Sequence, residues 1–118
     1  MMRKILIDEG VPHGIRGWIR DAEVFSVQWM GWEGIKNGDL IRRVKDNQFD
    51  VVICNDKQWQ YQQNTDQWTF GLIVLSTSRW RLIKVASEKG DLITRLNNAV
   101  HSVAKGVIIQ LSVGGDES

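Results

Sequence analysis

The stretch Ile5-Leu6-Ile7-Asp8-Glu9-Gly10-Val11-Pro12 is an apolar run that ends abruptly on two adjacent carboxylates and a turn. Three aliphatic residues in succession, with no alternation between apolar and polar, are typical of a central strand covered on both faces. Gly10 and Pro12 then break the strand. In parallel sheets ligands bind beyond the carboxyl ends of the strands, so this stretch predicts a polar site at a sheet edge.

Strand-like and helix-like segments alternate along the rest of the chain. Further strands are predicted at 23–27, 49–54, 70–75 and 107–113, and helices at 15–21, 38–46 and 92–103, the second with Asn37 as its N-cap. Residues 28–36 are predicted to be a loop with two exposed tryptophans, and residues 78–85 have no assignable regular structure. The alternation predicts an α/β fold, a single-domain three-layer sandwich with a mainly parallel five-stranded sheet.

Length and composition limit the classes of protein and partner. The 118 residues fit one domain, expected over 1–113 and followed by a flexible tail at 114–118. With 15 Lys and Arg against 14 Asp and Glu, there is no strong overall field, so a polyanion has to be held by a local patch. A single cysteine and the lack of an apolar run near the roughly 20 residues of a membrane span predict a reduced, cytoplasmic protein without membrane association.

Acidic residues follow the first and third predicted strands, and another begins the second predicted helix. They are Asp8 with Glu9, Asp56, and Asp39. Carboxylates gathered at one sheet edge repel each other unless a cation neutralises them, and oxygen ligands of this kind favour Mg²⁺ or Mn²⁺. We expect Asp8 to point at the ion and Glu9 to turn to the other side of the backbone. If Asp8 and Asp56 share the ion, their strands are neighbours, which favours the strand order 2-1-3-4-5.

Four segments in order resemble a family of small PIN-like proteins, and the resemblance extends over most of the chain. They are the opening stretch, Met30-Gly31-Trp32-Glu33-Gly34-Ile35-Lys36-Asn37-Gly38-Asp39-Leu40, Asn55-Asp56 with Tyr61-Gln62-Gln63-Asn64, and Leu75-Ser76-Thr77-Ser78-Arg79-Trp80. Members of that family resemble the toxin halves of toxin-antitoxin pairs, and PIN domains in general are Mg²⁺- or Mn²⁺-dependent ribonucleases. The resemblance implies a PIN-like fold, RNA as substrate and an antitoxin protein as partner.

The resemblance also implies roles for individual residues. Asp8, Asp39 and Asp56 become candidate catalytic residues and metal ligands, with Glu9 beside them. The side chains expected to contact the substrate are Lys36, Asn37, Lys57, Gln62, Gln63 and Arg79. PIN nucleases commonly have a fourth acid just beyond the third strand-end aspartate, whereas this chain has Lys57-Gln58-Trp59 there.

The missing acid leaves a second hypothesis open, a PIN-fold binding protein without catalysis that acts through tryptophan-rich loops. Trp29, Trp32, Trp59 and Trp80 could stack on bases, but most of them are expected to be core or interface residues. Tryptophans on loops also anchor protein partners, such as an antitoxin or a second copy of this chain in a homodimer.

A third, minor hypothesis is a degenerate receiver-like domain. Asp8-Glu9, Asp56 and Ser76-Thr77 follow the first, third and fourth strands, as in the phospho-acceptor pocket of receiver domains. Those domains also need a lysine at the end of the fifth strand. Here Lys105 precedes that strand, and the strand itself ends in Gln110-Leu111-Ser112-Val113.

Overall fold

The structure is a computed structural model that describes residues 2–55, 59 and 65–113. It contains one five-stranded sheet in which every neighbouring pair is parallel and the order is β2-β1-β3-β4-β5. The strands are β1 Arg3–Ile7, β2 Ala22–Ser26, β3 Val51–Cys54, β4 Gly71–Leu75 and β5 Ile108–Leu111. The α/β fold, the five parallel strands and the order 2-1-3-4-5 are therefore confirmed. Lys57, Gln62, Gln63 and Asp56, together with the predicted tail at 114–118, lie outside the described residues.

Four α-helices and two 3-10 helices connect the described strands. The α-helices are α1 Val27–Met30, α2 Asn37–Asp46, α3 Trp80–Lys89 and α4 Leu92–Ser102, and the 3-10 helices are His13–Trp18 and Thr65–Gln67. None of the helices in the described part of the chain is long and apolar enough to cross a bilayer.

The helices differ from the sequence-based prediction at several points. The segment predicted as a helix at 15–21 forms the 3-10 helix His13–Trp18, and α1 Val27–Met30 lies where the end of a strand and a loop were predicted. Helix α2 begins at Asn37 itself, with Lys36 as the N-cap and no capping side-chain hydrogen bond, so the predicted N-cap is wrong. Helix α3 was not predicted. Its N-cap is Arg79, which also makes no side-chain cap, and cations surround its first turn, so none of the usual start signals is present. The helix is stabilised instead by burial of Ile83 and Ala86.

Two apolar cores cover the two faces of the sheet, which makes the molecule the predicted three-layer sandwich. Ile5 and Ile7 of β1 pack into the core formed with α3 and α4, whereas Leu6 packs into the core formed with α2. This alternation follows from the two-residue period of a strand. Because both faces are covered, β3 and β4 are buried at every position, which explains their continuous apolar sequences.

Candidate functional site

The candidate site lies at the carboxyl edge of the sheet, between β1 and β3. From β1 the chain moves outward to β2 and then returns past β1 to β3, so the order reverses between β1 and β3. The backbone N–H of Asp8 donates to the carbonyl oxygen of Ile53 at 2.9 Å, which extends the ladder of these two strands by one residue. Asp8 therefore occupies the topological switch point, where open α/β sheets bind their ligands.

Asp8 is the only buried acidic residue in the described part of the chain, with 9% of its surface exposed. The strand period places it on the same face as Leu6, above the core that contains Trp59. Its Oδ1 accepts a hydrogen bond from the backbone N–H of Glu9 at 2.9 Å, and its Oδ2 accepts one from Trp59 Nε1 at 3.2 Å. Hydrogen bonds to a carboxylate are among the stronger ones, so the carboxylate is held in a defined orientation.

Trp59 is itself fixed by a cluster of aromatic rings. Its side chain is fully buried and makes edge-to-face contacts with Trp68 and Phe70, with both ring centroids at 6.4 Å. Trp68 and Phe70 stack on each other at 4.7 Å. The expectation that most of the loop tryptophans belong to the core is confirmed for Trp59 and for Trp32, which is also buried, so the prediction of an exposed Trp32 is wrong.

The loops that follow β1 and β3 touch at the switch point. Asn55 Nδ2 donates to the carbonyl oxygen of Gly10 at 2.8 Å. A Cβ atom on Gly10 would lie 2.6 Å from Asn55 Oδ1, so any larger residue would displace the Asn55 side chain from this contact. Asp56 follows Asn55 directly in the chain and lies outside the described residues.

Glu9 lies on the exposed side of the turn, opposite to the buried Asp8 as the sequence predicts. Its Oε1 accepts a hydrogen bond from the backbone N–H of Gly34 at 3.0 Å, and its carbonyl oxygen accepts one from Gln28 Nε2 at 3.1 Å. These bonds hold the 28–36 connection against the same sheet edge. In this arrangement Glu9 positions a loop, and Asp8 is the buried carboxylate.

Asp39 lies in the first turn of α2, just beyond the connection that Glu9 holds. Its side chain is 65% exposed, and its Oδ1 is 3.6 Å from Arg42 Nη1. This pairing one turn along the helix is the contact that the structure gives to Asp39. The fold thus brings the start of α2 to the site edge, while the Asp39 carboxylate pairs with its own helix.

Three residues predicted to bind substrate also begin helices at this edge. Lys36 is the exposed N-cap of α2, and Asn37 is the first residue of that helix. Arg79 is the exposed N-cap of α3, and its backbone N–H donates to Thr77 Oγ1 at 3.1 Å. Helix α2 follows the carboxyl end of β2, and α3 follows the carboxyl end of β4. Lys36, Asn37 and Arg79 therefore all lie on the side of the sheet where Asp8 lies.

The fit of a divalent cation rests on the chemistry of the donors at the switch point. Among the described residues no group of three or more His, Cys, Asp or Glu side chains could hold an ion. Mg²⁺ is commonly bound through only one or two carboxylates, with water and phosphate oxygens completing the shell. The buried Asp8 carboxylate fits that chemistry as a hard oxygen donor, and Asp56 would be the second.

The positions of Ser76 and Lys105 do not support the receiver-like hypothesis. Ser76 Oγ accepts a hydrogen bond from the backbone N–H of Val113 at 2.8 Å and so fastens the end of β4 to the segment after β5. Lys105 precedes β5 and lies at the amino edge of the sheet, opposite to Asp8. A lysine there cannot contact a group bound at the carboxyl edge.

Comparison of the chain with family models, with curated proteins and with solved structures finds no match. The PIN-like family therefore stays a prediction that rests on the sequence segments. The Asp8–Trp59 hydrogen bond is the feature of the site that sequence reasoning missed. The one available signal was a tryptophan shortly after the third strand, in a segment otherwise rich in glutamine.

Proposed function

We propose that the protein is a PIN-like, Mg²⁺- or Mn²⁺-dependent ribonuclease of the toxin type, with Asp8 as its central metal ligand. The observation that carries the proposal is the burial of Asp8 at the switch point of a 2-1-3-4-5 sheet, where its carboxylate is held by Trp59. Open α/β sheets bind their ligands at the switch point, and a carboxylate held in a fixed orientation there is a hard oxygen donor of the kind that Mg²⁺ or Mn²⁺ binds.

A divalent ion, when bound, would activate water and stabilise charge on the phosphate. Asp8 would hold the ion and Asp56 would be the second carboxylate, whereas the predicted ligand Asp39 would first have to leave its pairing with Arg42. Trp59 keeps the Asp8 carboxylate in its orientation, and Lys36 and Arg79 at the same edge contact phosphate groups of the RNA. Glu9 acts by holding the 28–36 connection against the site.

The test is cleavage of an end-labelled single-stranded RNA by the purified protein with Mn²⁺, with Mg²⁺ or with EDTA. We expect cleavage with either ion, none in EDTA, and products that carry no 2′,3′-cyclic phosphate because water is the nucleophile. Cyclic phosphate ends would show attack by the RNA 2′-hydroxyl instead of water, and equal cleavage in EDTA would show that no divalent ion is required. Either result would contradict the proposal.

The second candidate function is a PIN-fold binding protein without catalysis, and the surface around Trp29 favours it. Trp29 is 67% exposed, more than any other large apolar residue in the described part of the chain. Its ring packs on Phe25 of the edge strand β2. Exposed tryptophans of this kind anchor protein partners, such as an antitoxin or a second copy of the chain. Absence of metal-dependent cleavage in the same assay would favour this function.

A further inference from the structure

We propose that Trp80 is a stacking platform for a base of single-stranded RNA, and that the cations around it hold the adjoining phosphates. The inference rests on the proposed function for the identity of the nucleic acid. It adds a binding surface separate from the carboxylates. Four features support it: the stack of Trp80 on Trp18, the close approach of Gly14 to the Trp80 ring, the exposed cations nearby, and the position of all these residues at one edge of the sheet.

The Trp80 ring is exposed yet rigidly held. Its side chain is 40% exposed, and the ring stacks on Trp18 with centroids 5.5 Å apart and planes inclined by 16°. A Cβ atom on Gly14 would overlap the Trp80 ring, so a larger residue there would push the ring out of its position against the backbone. A ring that is already fixed loses little conformational entropy when a base stacks on it.

The platform lies at the same sheet edge as Asp8. Trp80 is the first residue of α3, which follows the carboxyl end of β4. Gly14 and Trp18 belong to the 3-10 helix that follows the carboxyl end of β1, a few residues after Asp8. Trp18 packs against the core on the α3 and α4 face, whereas Asp8 lies with Leu6 on the α2 face, so a single strand that contacts both the platform and the proposed hydrolytic site crosses this edge from one face to the other.

Cations lie around the platform, and none of them forms an ion pair with an acidic residue in the described part of the chain. Arg79, Arg81 and Lys84 are exposed on the first turns of α3, and Arg16 is exposed on the 3-10 helix. Within the described ranges, ion pairs form only at two other arginines, Arg42 and Arg95. A protein with a net charge of +1 thus concentrates free positive charge beside an exposed aromatic ring.

The chemistry of this surface selects single-stranded nucleic acid. Proteins that bind single strands combine a positively charged track for the backbone with aromatic rings on which bases stack. An acidic protein segment would satisfy the cations but would leave the flat ring without a matching planar group. RNA with exposed bases satisfies both, and it is the substrate class of the proposed hydrolysis.

The test measures binding of a fluorescein-labelled single-stranded oligoadenylate in EDTA, where no cleavage occurs, to wild type, Trp80→Leu and Arg81→Gln. We expect Trp80→Leu to weaken binding about 5- to 150-fold, the range that loss of one stacked base produces. Arg81→Gln removes an exposed charge without touching the core, and we expect it to reduce the slope of log K against log salt by about 0.7.

Matched controls distinguish stacking on Trp80 from nonspecific binding of the oligonucleotide. Trp29→Leu removes a more exposed tryptophan that packs on Phe25, and Lys105→Gln removes a cation at the opposite edge of the sheet. We expect both to bind like wild type. An abasic oligonucleotide of the same length is expected to bind wild type about as weakly as the adenylate binds Trp80→Leu.

Several results would contradict the proposal that Trp80 stacks on a base. They are equal binding of the abasic and adenylate strands, equal losses in Trp29→Leu and Trp80→Leu, an unchanged salt slope in Arg81→Gln, or binding of polyglutamate in preference to RNA. Because binding is measured without metal, the platform and the proposed hydrolysis can fail separately. Binding without cleavage would support the stacking role of Trp80 and contradict the proposed nuclease. Cleavage together with unchanged binding in Trp80→Leu would support the nuclease and contradict the stacking role of Trp80.

Discussion

Asp8→Asn is expected to lower Mn²⁺-dependent RNA cleavage by about 100-fold or more while preserving the fold. Mutation of a residue that hydrogen-bonds to a metal ligand typically lowers metal affinity or activity 10- to 100-fold. Removing the charge of the ligand itself is expected to lower activity by at least the upper value of that range. Asparagine has nearly the same shape, and its one amide oxygen can keep one of the two hydrogen bonds, from the Glu9 N–H or from Trp59, so we expect the fold to be kept with some loss of stability. The measurement is the initial rate of cleavage, together with the free energy of unfolding in urea.

Asp50→Asn is the matched control for this variant. Asp50 directly precedes β3, and its Oδ2 accepts a hydrogen bond from the backbone N–H of Lys4 in β1 at 2.7 Å. The two aspartates therefore fasten the same pair of strands, Asp8 at the carboxyl edge and Asp50 at the amino edge. We expect Asp50→Asn to cleave RNA like wild type. Equal losses of activity in the two variants would contradict the assignment of Asp8.

Trp59→Ala is expected to lower the free energy of unfolding by about 3–5 kcal/mol, the usual cost of truncating a large aromatic core residue. Trp59 is fully buried against Trp68 and Phe70, so the cavity left behind is surrounded by rigid rings. The measurement is equilibrium unfolding in urea, followed by circular dichroism. A loss below about 1 kcal/mol would contradict the packing of Trp59 in this core.

Trp59→Phe separates the role of Trp59 in the core from its role at the site. Phenylalanine keeps much of the packing but cannot donate to Asp8 Oδ2, so we expect Mn²⁺ affinity to fall about 10- to 100-fold. Trp68→Phe changes a buried tryptophan of the same cluster that stacks on Phe70, and is expected to keep the affinity. Equal affinities in the two variants, measured by calorimetry, would show that Trp59 does not position the carboxylate.

The sheet could be predicted from the sequence because its strands have a distinctive composition. Uninterrupted aliphatic runs are typical of strands with both faces covered, and the runs of β1, β3 and β4 are followed by polar residues that mark the carboxyl edge. Helix α3 could not be predicted in the same way. It starts without a capping side chain at Arg79, and it buries Ile83 and Ala86 against the sheet.

The candidate site was predictable only in part. The two-residue period of a strand correctly placed Asp8 and Glu9 on opposite sides of the turn. The contact between Asp8 and Trp59 joins residues 51 positions apart, and the stack of Trp18 on Trp80 joins two separate connections. Such pairs depend on how the connections cover the sheet, which residue spacing along the chain does not encode. The pairing of Asp39 with Arg42 was not predicted either.

The most direct test of the central claim is a titration of the ¹⁵N-labelled protein with Mn²⁺, followed through the indole N–H signals of its six tryptophans. Trp59 Nε1 is 3.2 Å from Asp8 Oδ2, so an ion bound to that carboxylate at the roughly 2 Å typical of Mg²⁺ would lie beside this N–H. We predict that the Trp59 signal, assigned with Trp59→Phe, broadens first at substoichiometric Mn²⁺, recovers with excess Mg²⁺ and is unaffected in Asp8→Asn. Uniform broadening of all six signals, or selective broadening that persists in Asp8→Asn, would contradict a metal site at Asp8.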